Sequence, residues 1–133
     1  MSMDELIAFV TARLDEDEAV AKGTGGDGPD GQWARREDEV GTGYGHLYDG
    51  RGEVVVYDEG APGDIGFDHI ASHDPAHVLR EVEATRKLVQ RFGAALAIRK
   101  EELDMGVAYL YGQMCDEAAV WSDHPDYRQE WAA

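Results

Sequence analysis

The residues best able to do chemistry are histidines. His69 and His73 stand four positions apart in a segment with helical patterning. That spacing sets two imidazoles side by side on one helix face, as a metal site requires. A third ligand would come from His124, with His46 and Asp74 as substitutes. His77 extends the same count, but Pro75 interrupts the helix between it and His73, so a face of three histidines is not expected. The expected metal set is therefore His69, His73 and His124, holding a divalent ion. The competing reading makes His73 and Asp74 cap residues and places His69 at a half-buried edge.

Cys115 is the one cysteine. It cannot form an internal disulfide, and no cysteine-based zinc site exists. Asp116 and Glu117 follow it directly, and neighbouring carboxylates blunt a thiol's reactivity. It reads as a packing residue, not as a nucleophile served by His124. No nucleophile elbow, zincin helix or EF-hand loop is present. Gly23–Gly31 lacks the Lys-Ser/Thr of a phosphate loop, and Asp27 and Asp30 would repel a phosphate. Carboxylate pairs are too common here to single out an acid–base dyad. No catalytic residue is assigned, and no cofactor is expected apart from the divalent metal.

Charge is the other candidate for function. The chain carries 28 acidic against 12 basic side chains, a net −16. Residues 1–64 hold 16 acidic and 5 basic side chains, a net −11, and residues 65–133 hold 12 and 7, a net −5. Such a field repels nucleic-acid phosphates and anionic lipid, so direct nucleic-acid or membrane binding is disfavoured and basic partners are attracted. Two acidic runs are the expected partner-binding residues: Asp15, Glu16, Asp17 and Glu18, then Glu37, Asp38 and Glu39. Against this trend Arg80, Lys87 and Arg91 form a basic face, which could meet the acidic half of a second copy.

These side chains must be positioned by a helix-rich α+β fold. A length of 133 residues suits a single domain over 1–133. Residues 1–22 read as an N-terminal helix, with Ser2 and Glu5 at capping-box spacing and Met3, Leu6, Ile7, Val10 and Leu14 in one stripe. The Asp15–Glu18 block opposes the helix dipole at its far end, which should fray or need a basic partner. Gly23 stops the helix, and residues 23–32 read as a flexible loop. Residues 33–58 read as a small antiparallel sheet of two or three strands, with a hairpin turn at Asp49-Gly50-Arg51-Gly52.

Helices fill residues 64–121. Asp74-Pro75 marks a helix start, with aspartate as cap and proline at the first helical position. Val78, Val82, Thr85, Val89, Phe92 and Leu96 then share one arc, and Gly93 is expected to end or loosen this helix. Leu103, Val107, Leu110, Met114, Ala118 and Trp121 mark the last helix. Residues 122–133 read as an aromatic tail, carrying Tyr127 and Trp131, docked on the domain. Met1-Ser2-Met3-Asp4-Glu5 lacks the basic and apolar regions of a signal peptide, and no apolar run is long enough to span a bilayer. A cytoplasmic location is expected.

Three segments carry a resemblance: Met3 to Phe9 running on through Ala12 to Asp17, His69 to Pro75 with Val78 to Ala84, and Asp123 to Trp131. They resemble a family of small proteins of high-GC actinobacteria and their phages, a domain of unknown function. The resemblance implies no activity. It implies a cytoplasmic and phage-related setting, and it directs attention to His69, His73, Asp74, Pro75, His124, Tyr127 and Trp131. The expected function is that of a small, acidic, non-enzymatic interaction protein that binds a basic protein. The alternatives are a metal-binding protein or metalloenzyme using His69 and His73, and a homo-oligomeric structural protein.

Overall fold

A computed structural model describes residues 3–36, 45–61, 63–98 and 105–132. The helix-rich α+β expectation holds. The elements are α1 (Met3–Gly23), β1 (Ala34–Arg35), β2 (Leu47–Tyr48), β3 (Val54–Val56), α2 (Asp64–Ser72), α3 (Pro75–Ile98) and α4 (Met105–Ala118). Short 3-10 turns at Pro29–Gly31, Ala119–Trp121 and Gln129–Trp131 complete the described chain. Two compact units divide it, one made of Met1–Glu16 with Val82–Ala133 and the other of Asp17–Glu81.

In the Asp17–Glu81 unit the sheet is antiparallel in the order β1-β2-β3. Ala34 pairs with Tyr48 and Arg35 with Leu47, and a bulge falls between Leu47 and Tyr48 where they meet β3. The hairpin turn forms at the expected residues. Asp49 Oδ1 accepts from the backbone N–H of Arg51 and of Glu53, and Gly52 takes φ +84°, a conformation that excludes most side chains. Residues 23–32 carry a chain of backbone hydrogen bonds, including Gly26 N to Ala21 O at 2.8 Å and Gly31 N to Gly28 O at 3.1 Å. A Cβ on Gly31 would lie 2.4 Å from Gly26 Cα, so close backbone approach explains the glycine here.

Arg35 joins the parts of this unit. Its Nε donates to the Gly45 carbonyl at 2.9 Å, and its terminal nitrogens meet Asp58 and Asp64. Its guanidinium also stacks over the Phe67 ring at 5.1 Å. Phe67 is fully buried, so the cation caps the one fully buried side chain of α2. Asp58 is held below the usual carboxylate range by the N–H groups of Gly45 and Gly60, with Arg35 adding to them.

Asp74 does the work expected of a cap and more. Its Oδ1 accepts from His77 N at 2.8 Å, at the head of α3, and its Oδ2 accepts from Trp33 N at 3.0 Å. α3 does not stop at Gly93. It runs on to Ile98, because a glycine costs a helix only about 1 kcal/mol, which packing can offset.

In the other unit Leu6, Phe9, Val10 and Leu14 of α1, Val82 and Phe92 of α3, Val107, Met114, Cys115 and Ala118 of α4, and Trp131 are buried. The buried stripe of α1 is rotated from the expected one. Phe9 and Arg13 lie inside it, while Met3 and Ile7 are half-exposed. Ser2, Leu103 and the run Glu37, Asp38 and Glu39 lie outside the described residues.

Two outcomes follow. Asp74→Ala removes a cap and a second buried-edge acceptor, and should cost about 2 kcal/mol in urea unfolding, with Asp74→Asn losing less. The lowered Asp58 value means that its contribution is present above the ordinary carboxylate range and is lost as pH falls through the folded value. Asp58→Asn should therefore flatten the acid limb of stability between about pH 2 and 6, and parallel curves for parent and variant would refute this reading.

Candidate functional site

The chemically richest cluster lies in the unit of Met1–Glu16 and Val82–Ala133, around Phe9 and Arg13 on α1. Phe9 and Arg13 are one helical turn apart and share a face. The segment after α4 brings the other members. Turns at Ser122, His124 and Tyr127 fold the chain so that Trp121, His124, Tyr127 and Trp131 all place rings within 6.5 Å of the Phe9 centroid. Trp131 is 2% exposed and Phe9 7%.

Arg13 is also only 7% exposed. Its Nη2 donates to Glu16 Oε1 at 3.0 Å, its Nη1 meets His124 Nε2, and its guanidinium lies 5.4 Å from the Phe9 centroid. His124 Nδ1 meanwhile accepts from Asp126 N at 3.1 Å. A neutral imidazole has one acceptor nitrogen, yet both nitrogens of His124 face N–H donors. Whichever tautomer forms, one donor loses its acceptor. Two further buried N–H groups have no partner among the described residues: Arg13 Nε and Trp131 Nε1. Each such group ordinarily costs about 1–3 kcal/mol. The cluster is rich in donors and short of acceptors.

A cavity of about 540 Å³ adjoins these groups, lined by Phe9, Arg13, Tyr127 and Trp131 with Glu5, Asp126 and Arg128 among the polar residues. Arg128 pairs with Glu5 at 2.8 Å.

The expected metal residues lie apart from one another in their bonding. His69 and His73 do stack, at 4.6 Å between centroids, and His77 joins the row at 5.6 Å from His73 despite Pro75. His73 Nδ1 lies 3.0 Å from the His69 carbonyl and His77 Nε2 lies 2.9 Å from Glu81. His124 is engaged with Arg13 and Asp126. His46 Nδ1 accepts from Asp58 N at 2.7 Å, and Asp74 serves as the cap of α3. Among the described residues no group of three or more His, Cys, Asp or Glu is arranged to hold a metal ion.

The acidic block of α1 is largely met by the chain's own cations. Asp15 pairs with Arg86 at 2.8 Å, Glu16 with Arg13 and Glu18 with Lys22 at 2.6 Å. The basic partner expected for this helix end is thus supplied from within. Arg80, Lys87 and Arg91 are exposed, with Lys87 3.5 Å from Glu83.

Cys115 is buried, and burial pushes its thiol up, with the Asp116 charge adding and the Tyr111 hydrogen bond partly opposing. Burial, with the bond to Cys115 next in weight, pushes Tyr111 up to about 12. Neither is poised for nucleophilic chemistry. Among the described residues, no helix is long and apolar enough to cross a membrane.

Sequence reasoning missed Arg13 as a site residue. The available signal was its position: an arginine one turn after Phe9, within the span bounded by Leu6, Val10 and Leu14.

The chain matches DUF6221, a family of unknown function, over residues 3–133, and it belongs to that family. No curated protein and no solved structure matches it.

The raised thiol value gives a direct check. Cys115 should react with a thiol-specific disulfide reagent at least ~10-fold more slowly in the folded protein than in urea, and equal rates would show an accessible, activated thiol.

Proposed function

We propose that this DUF6221 chain is a non-enzymatic interaction protein that binds a basic protein partner through its acidic surface. The observation that carries the reading is the charge left after internal pairing. Arg13, Lys22, Arg35, Arg51, Arg86, Lys87 and Arg128 all sit in ion pairs within the chain. With 28 carboxylates against 12 cations, the acidic side chains outnumber by 16 the cations that could pair with them one to one. Asp4, Asp27, Glu59, Asp68 and Asp123 are exposed and are the first to consider. Glu37, Asp38 and Glu39 add three consecutive acids in sequence.

The Asp15–Glu18 block contributes less than its formal charge, since Asp15, Glu16 and Glu18 are ion-paired within the chain. Its pairs orient the carboxylates and leave Asp15 and Glu16 roughly two-thirds exposed, at 65% and 63%. The resemblance to actinobacterial and phage proteins gives the reading a setting: the cytoplasm, with a nucleic-acid-binding protein as the partner whose phosphate-reading surface meets carboxylates instead.

The test is association with immobilised protein at rising ionic strength. A basic partner should be retained at about 50 mM salt and released by about 500 mM, since the Debye length falls from above 10 Å to a few ångströms. Neutralising Asp4, Asp27, Asp68 and Asp123 to asparagine should weaken retention. Recovery of no partner, or of one insensitive to salt, removes the basis of the proposal.

A further inference from the structure

We propose that the pocket lined by the end of α1, Trp33 and the first turns of α3 takes an arginine side chain presented by the basic partner, a proposal that rests on the acidic-surface reading above. Every residue lining it belongs to the Asp17–Glu81 unit. The pocket measures about 370 Å³, within the size range of small-ligand sites. Val20, Pro75 and Val78 supply apolar wall, and Val20 is 71% exposed, so apolar surface stands open there. Asp17 and Glu81 bring carboxylates to the same lining, which among the described residues holds no lysine or arginine. The Glu81 side chain is 62% exposed, with Oε1 also 2.9 Å from His77 Nε2.

The wall chemistry selects the occupant. Trp33 is half-buried, and its backbone N–H donates to Asp74 Oδ2 while its indole N–H donates to the Asp30 carbonyl at 2.9 Å. Both ends of the residue are therefore fixed before any ligand arrives. Among the described residues, a guanidinium lies over an aromatic ring at Phe9, Phe67 and Tyr48, supplied by Arg13, Arg35 and Arg36. Trp33 has no such cation among those residues, although indole attracts cations more strongly than the other aromatic rings. Arginine fits this lining better than lysine does. Its planar guanidinium stacks on a ring while its N–H fork meets a carboxylate, and its methylene stem covers apolar wall. An anionic group would meet two carboxylates here and neither lysine nor arginine.

The experiment follows the indole N–H resonances of the ¹⁵N-labelled full chain during titration with N-acetyl-argininamide and with its citrulline counterpart, which keeps the shape and lacks the charge. The Trp33 resonance, identified by its loss in Trp33→Phe, should move with the arginine compound and stay in place with the citrulline one. Glu81→Gln should bind the arginine compound about threefold more weakly with unchanged circular dichroism. Excess N-acetyl-argininamide should release the retained basic partner more fully than sodium chloride of equal ionic strength. A Trp33 resonance unmoved at millimolar concentration overturns the proposal, as does an equal response to citrulline or unchanged affinity in Glu81→Gln. A salt-sensitive partner retained while Trp33 stays unmoved removes the pocket and leaves the acidic surface standing. A Trp33 response with no partner retained removes the acidic-surface reading and, with it, the assigned occupant.

Discussion

Charge neutralisation is the constraint on which this structure turns. With 12 cations against 28 carboxylates, each arginine placed inside the fold must serve several contacts at once. Arg35 joins β1 to the chain after β3 and to the first turn of α2, and it also covers the Phe67 ring. Arg13 ties α1 to His124 while packing against Phe9. Lysine could not replace either one, because a point charge lacks the planar fork that reaches several acceptors and lies flat on a ring.

The two arginines differ in how well they are supplied with acceptors. Arg35 donates from its Nε to the Gly45 carbonyl and from both terminal nitrogens to carboxylates. Arg13 has one carboxylate, shares an imidazole with a competing backbone donor, and leaves Nε without an acceptor. A buried donor that costs free energy is retained in a fold when something outside the chain completes it, or when packing offsets it. The indole N–H of Trp131 is in the same condition, and both residues pack on Phe9, which favours the second explanation.

Local chemistry in this sequence was legible, and non-local chemistry was not. The Asp74-Pro75 start, the Asp49–Gly52 turn and the Gly23 stop depend on residues within a few positions, and each forms where its pattern places it. Gly93 misled because propensity is a weak local term that α3 packing overrides. Pro75 misled in another way. It breaks the helix path but not the proximity of rings, since His73 closes α2 and His77 lies in the first turn of α3. Arg13 was illegible for a deeper reason. Periodicity arguments count apolar residues, and a buried guanidinium is coded polar although its stem and planar face pack like an apolar group. Its partner His124 lies 111 positions away, and no spacing rule reaches that far.

The global field and the local packing answer to different terms. A net charge of −16 draws cations toward the surface and holds anions away. The buried cluster around Phe9 is held by apolar burial, a term that ionic strength leaves nearly untouched. Screening should therefore weaken attachment of the proposed basic partner while the cluster stays packed. The proposed docking and the packing of Phe9 and Trp131 thus rest on separate physical causes, and salt separates them.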